Sequence, residues 1–170
     1  GAGVAVASDR RLADVIATDA RIEIQAGNEL GKKFPEGAHI NVTSFNKQVL
    51  LTGEVRNEQM KSDAETIVLK LPDVRSVYNE LAVRAPSTMP NRSNDAYITS
   101  EVKARLAGSG KLNAFHVKVV TEANVVYLMG LVTRQEAADA TEIARTSNGV
   151  QRVVRIFEYI QPPPPPAEKK

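Results

Sequence analysis

Residues 39–55, HINVTSFNKQVLLTGEV, align without a gap on residues 116–132, HVKVVTEANVVYLMGLV, at an offset of 77. Six of the seventeen positions are identical: His39 and His116, Val42 and Val119, Val49 and Val126, Leu51 and Leu128, Gly53 and Gly130, Val55 and Val132. Chance would supply about one match, so the chain repeats itself. At an offset of 76, Asp19, Ala20, Ile22 and Leu30 also match Asp95, Ala96, Ile98 and Leu106, and further on Asp63, Ala64 and Ile67 match Asp139, Ala140 and Ile143. Any fold for this chain must therefore be built twice, from units small enough that each needs nearly all its apolar residues for one core.

The apolar period changes in the same order in both copies. Ile98, Val102 and Leu106 recur every four residues, one face of a helix with Asn94 or Asp95 as its cap. The first copy carries a weaker version, interrupted by Gly27. Alternation with period two follows on either side of Asn46-Lys47 and of Ala123-Asn124, which predicts two hairpins. A second helical stripe runs through Met60, Ala64, Ile67, Val68 and Leu71, entered near Asn57, and its counterpart opens on the capping-box pair Thr133 and Glu136. Val77, Leu81 and Val83, or Val153, Phe157 and Tyr159, supply a last strand. The order is α-β-β-α-β, twice, which makes the fold class α/β (α+β).

The boundaries follow. Residues 18–84 form the first unit and residues 92–160 the second, with residues 85–91, which include Pro86 and Pro90, as an extended linker. Residues 1–17 read as a spacer, and residues 161–170, with five consecutive prolines, as a disordered tail that can form neither helix nor central strand.

Charge narrows the function. Twenty-two Lys and Arg against 20 Asp and Glu leave a net charge of +2, too balanced for a chain that neutralises many phosphates, so no nucleic-acid partner is expected. No run of about 18 apolar residues exists to span a bilayer as a helix. There is no Cys, hence no disulfide, thiolate or Cys metal site. The two histidines occupy the same repeat position in different units, so they are not expected to share a metal. Gly108-Ser-Gly-Lys111 lacks the upstream Gly and the following Ser or Thr of a phosphate loop. No catalytic set is visible and no cofactor is expected.

The element order, the Val-x-Leu-x-Gly-x-Val strand and the closing pattern Val74, Val77, Asn79, Leu81, Val83 resemble the BON domain. The second copy keeps Gly149, Val150 and Val153 but has Arg155 in place of Asn. Over nearly the whole chain the sequence is similar to the dual BON-domain lipoproteins of Gram-negative outer membranes. That resemblance implies two tandem domains, each a three-stranded mixed sheet packed on two helices, and a lipidated Cys upstream of Gly1. It also implies a periplasmic protein anchored to the inner leaflet of the outer membrane, noncatalytic, supporting outer-membrane integrity. In such proteins the first helix of the second domain binds anionic phospholipid.

Carried onto this sequence, that helix offers Tyr97, Ile98, Thr99, Glu101, Lys103 and Arg105 as phospholipid-binding residues. If Ile98, Val102 and Leu106 face the sheet, Tyr97 is left in solvent, where an aromatic with a polar tip suits the headgroup boundary. Arg92, Lys103, Arg105 and Lys111 would add attraction of about 1 kcal/mol each near an anionic surface. Residues 18–84 carry 9 basic and 10 acidic residues and residues 92–160 carry 9 and 7, so the second unit is the better anion binder. The competing reading is a protein adaptor that engages outer-membrane assembly proteins, with lipid contact incidental.

Overall fold

The computed structural model describes residues 9–162. The α-β-β-α-β order is found in both copies. In the first, α1 (Ala13–Lys33) leads into the hairpin of β1 (His39–Phe45) and β2 (Gln48–Val55), then α2 (Glu58–Leu69), and the last strand is split into β3 (Ser76–Asn79) and β4 (Ala82–Val83). In the second, α3 (Met89–Gly108) and a 3-10 turn (Ala114–His116) precede β5 (Val117–Glu122) and β6 (Val125–Val132), then α4 (Arg134–Arg145) and β7 (Arg152–Tyr159). The middle strand of each sheet is antiparallel to its hairpin partner and parallel to the closing strand, giving two mixed sheets.

Both hairpins turn on two residues with positive φ, Asn46 and Lys47 at 52° and 66°, Ala123 and Asn124 at 49° and 65°. That geometry matches the right-handed twist of the strands. Each turn is held from below by the aspartate that recurs in the repeat. Asp19 accepts from the backbone N–H of Asn46 and of Lys47, both at 2.7 Å, and Asp95 accepts from Ala123 at 2.9 Å and Asn124 at 3.0 Å. Asp95 is therefore buried in mid-helix as a turn clamp and does not cap α3; Thr88 does, accepting from the Asn91 N–H.

Helix starts differ from the sequence boundaries. Met89, Pro90 and Asn91 belong to the first turn of α3 and not to an extended linker, because Pro in a first turn forgoes only a donor that has no intrahelical acceptor. α1 likewise starts at Ala13, inside the expected spacer, and runs uninterrupted through Gly27. The prolines from 163 on lie outside the described residues, as do residues 1–8.

One core forms on the helical side of each sheet. Ile22, Ala26 and Leu30 of α1 pack on Val49, Leu51 and Val55, and Ile98, Val102 and Leu106 of α3 pack on Val126, Leu128 and Val132. A third apolar cluster joins the copies: Phe45 and Leu50 from the first meet Tyr127, Met129 and Ile156 from the second. These residues alternate with the helix-facing set, so each sheet is covered by helices on one face and by the other domain on its second. Polar contacts rim this interface, with Asn46 and Arg75 donating to Glu158 across it. Arg10, ahead of α1, reaches the second domain as well, bonding the Leu131 carbonyl at 2.9 Å and Glu136 at 2.6 Å.

Candidate functional site on the first helix of the second domain

At about 100° per residue, Met89, Ser93, Tyr97, Ser100, Ala104 and Ala107 fall within a sector of about 80° on α3. That sector lies opposite buried Asp95, Ile98, Val102 and Leu106. All six are exposed, and Tyr97 keeps 63% of its surface in solvent. The face is small and weakly polar apart from Met89 and Tyr97, so a flat surface can approach the helix closely. Exposed Lys103 flanks it, and exposed Lys111 follows the end of the helix. Phe115 extends the apolar trend beyond the helix, sharing a shallow cleft with Ala107 and Lys111.

The residues named from sequence separate by orientation. Tyr97 and Lys103 stand on or beside the open face. Ile98 does not: one step of 100° carries it into the core at 1% exposure, where no ligand reaches it. Thr99 turns toward the sheet and donates to Thr121 Oγ1 at 2.8 Å. Arg105 is spent inside the fold, donating to the Ile143 carbonyl at 2.6 Å, Ser147 Oγ at 2.7 Å and Thr146 Oγ1 at 3.1 Å, where it satisfies the carbonyl end of α4. Arg92 donates to Ser87 Oγ at 3.1 Å. Glu101 sits half-buried at the flank with the charge that repels an anionic headgroup. Met89, Ala104 and Phe115 join the surface instead. Ala104 faces solvent as the helical period of Ile98, Val102 and Leu106 predicts, and the place of Met89 follows from the same period once α3 starts at residue 89.

The matching face of α1 is built differently. Arg21 stands at the position of Tyr97 and ion-pairs with Asp73 at 2.6 Å, Ile24 replaces Ser100, and Gly27, Asn28 and Gly31 replace Lys103, Ala104 and Ala107. It offers neither an aromatic nor an uncommitted lysine at the equivalent positions. No helix among the described residues is long and apolar enough to cross a membrane.

The comparisons with known proteins agree with this architecture. The chain is 33% identical to the outer membrane lipoprotein DolP of Haemophilus influenzae, over 91% of this chain and 81% of that protein. A 21 kDa hemolysin of Actinobacillus pleuropneumoniae is 30% identical over 90% of this chain and 80% of its own length. Osmotically-inducible protein Y of Escherichia coli is 33% identical over 67% of this chain and 58% of that protein. The BON domain family model matches residues 18–85 and again residues 94–161, the two halves that the internal repeat marks out. With a turn-clamping aspartate, a mixed sheet and two helices in each half, the chain belongs to the BON domain family and carries two copies of its domain.

Proposed function

We propose that this chain is a noncatalytic protein of the Gram-negative envelope whose second domain reads anionic phospholipid with the open face of α3, in support of outer-membrane integrity. The observation that carries the reading is Tyr97, an exposed aromatic at the centre of a face made otherwise mostly of small residues, with Lys103 and Lys111 at its margins. An aromatic ring partitions into the headgroup boundary while its hydroxyl stays hydrated, and two exposed lysines with no ion pair among the described residues add salt-sensitive attraction. The likeness to a protein named as an outer membrane lipoprotein supports the location, with the chain held at the periplasmic side of that membrane by a lipid anchor upstream of residue 1.

Co-sedimentation with anionic and zwitterionic vesicles tests it. The wild-type chain is expected to sediment with the anionic vesicles alone. Tyr97→Asp and Lys103→Glu should each weaken that binding by about tenfold without loss of helicity, because both side chains are in solvent. Backbone NMR shifts should centre on residues 94–106. Equal shifts in both domains, or unchanged sedimentation of Tyr97→Asp, would overturn the lipid reading. Recovery by crosslinking of a protein partner indifferent to Tyr97 would favour the adaptor instead.

A further inference from the structure

The polar end of the domain interface contains a grouping that neither sheet needs. His39 at the start of β1 and Glu54 near the end of β2 come from the first domain, and Glu122 at the end of β5 comes from the second. His39 Nδ1 lies 3.3 Å from Glu54 Oε1 and 3.4 Å from Glu122 Oε1, and one donor atom from each of the three falls within 4.8 Å of the others. Glu54 is fully buried, and no hydrogen-bond donor reaches its second oxygen, Oε2. Among the described residues neither carboxylate has a lysine or arginine ion-pair partner.

The internal repeat shows how unusual this is. The positions equivalent to Glu54 and Glu122 in the other copy are Leu131 and Phe45, and both sit in the apolar cluster between the domains. The interface thus has two pseudo-equivalent ends. One is filled by a leucine and a phenylalanine, and the other by two facing carboxylates and an imidazole. Packing alone would be served by repeating the apolar pair, since burying a carboxylate with an empty acceptor is strongly disfavoured.

We infer that His39, Glu54 and Glu122 form a divalent transition-metal site, zinc foremost, that bridges the two domains. A tetrahedral ion with bonds of about 2.0 to 2.1 Å separates its donor atoms by about 3.3 Å, which is the spacing of the imidazole nitrogen from both carboxylates. One imidazole and two carboxylates carry a charge of −2, which such an ion neutralises. The surrounding shell is in place. Asn41 Nδ2 donates to Glu122 Oε2 at 3.0 Å, and the Ser87 N–H donates to Glu54 Oε1. These bonds orient the carboxylates as outer-shell partners do in metal sites. Ser87 Oγ, 3.3 Å from His39 Nδ1, stands at the fourth side of the cluster, toward the segment that joins the domains. Because two ligands belong to one domain and one to the other, the ion fixes the docking of the sheets.

Isothermal titration of zinc into the untagged full chain, after EDTA treatment and exchange into chelator-free buffer, tests the assignment. The expected result is one ion per chain, a raised melting temperature, and a cobalt-substituted form with the intense visible bands of a four-coordinate ion. Glu122→Gln and His39→Asn are expected to weaken binding at least 100-fold. His39 is partly accessible and Glu122 is buried, so folding is checked independently by the circular dichroism of the metal-free variants. The absence of stoichiometric zinc, manganese or cobalt binding would overturn the site and leave the two carboxylates sharing a proton. Binding of undiminished affinity in both variants would overturn it too, by placing the ion elsewhere on the chain.

Discussion

The two copies share a backbone plan and differ in what they do with the same positions. His39 and His116 occupy one repeat position, yet His39 faces Glu54 and Glu122 while His116 lies 4.0 Å from Glu136, itself gripped by Arg10. Tyr97 and Arg21 occupy another, and one is exposed while the other is tied to Asp73. The shared positions are the ones that geometry dictates, such as the turn-clamping aspartates and the strand glycines. The divergent ones lie at the surfaces, where a residue meets solvent, an ion-pair partner or the other domain. Duplication has kept the frame and released the surfaces, so function belongs to the differences.

Breaking the shared frame should cost most. A Cβ on Gly53 would lie 1.9 Å from the His39 carbonyl oxygen, at a φ of 119° that side chains rarely adopt, while on Gly130 it would lie 2.5 Å from the His116 carbonyl. Both glycines let the hairpin strands approach closely. Gly53→Ala is expected to destabilise the chain by about 4 kcal/mol and Gly130→Ala by roughly half as much, since only the first adds backbone strain. Urea unfolding monitored by circular dichroism measures both.

The domain interface comes next. Met129→Ala removes a side chain 1% exposed from the cluster that joins the sheets and should cost about 3 kcal/mol. Its signature differs from that of a helix-side change such as Val102→Ala. Loss of Met129 should split unfolding into two transitions, because each domain keeps its own core, and differential scanning calorimetry distinguishes the two patterns. A single transition with unchanged cooperativity in Met129→Ala would show that the domains are coupled by their polar rim.

A smaller effect tests the clamps. Asp19 and Asp95 do the same work, but Asp19 also accepts from Ser44 Oγ at 2.7 Å and pairs with Arg11 at 3.0 Å. Asp19→Asn should therefore cost about 2 kcal/mol and Asp95→Asn about 1 kcal/mol, as two more charge-assisted contacts are weakened in the first. Amide exchange at Lys47 and Asn124 reads each turn separately.

How far the sequence foretold this follows from where each signal resides. The helices and strands were legible because each copy's apolar residues follow one period at a time: Ile98, Val102 and Leu106 leave no other face to bury, and that same geometry turns Tyr97 outward. The docking of the sheets was not legible. Leu50, Tyr127 and Met129 lie between core-facing neighbours in continuous apolar runs, which look alike whether the second face meets a partner or a bend. Pro90 reads equally as linker or helix start, because a proline in a first turn and one in an extended segment have the same local chemistry. The commitment of Arg105 to the end of α4 depends on residues 38 to 42 positions away, and the meeting of Glu54 with Glu122 depends on the docking itself.

The smallest predicted effect is a pH dependence peculiar to the second copy. Burial pushes Glu136 upward, but hydrogen bonds from Arg10 and from the Thr133 backbone outweigh it and hold the carboxyl below its usual value. A carboxylate depressed in the folded state adds stability that is present above about pH 4.5 and lost as the pH falls through its folded pKa, where the native carboxylate must finally be protonated. Arg10→Ala should remove most of that contribution, destabilising the chain by about 1 kcal/mol or less at pH 7, with a gap to wild type that narrows at a pH well below the pKa of an ordinary glutamate. Urea titrations at the two pH values give the sign directly. A gap that stayed constant would mean that Arg10 acts through the Leu131 carbonyl, holding the segment ahead of α1 against the second domain by a bond that does not titrate.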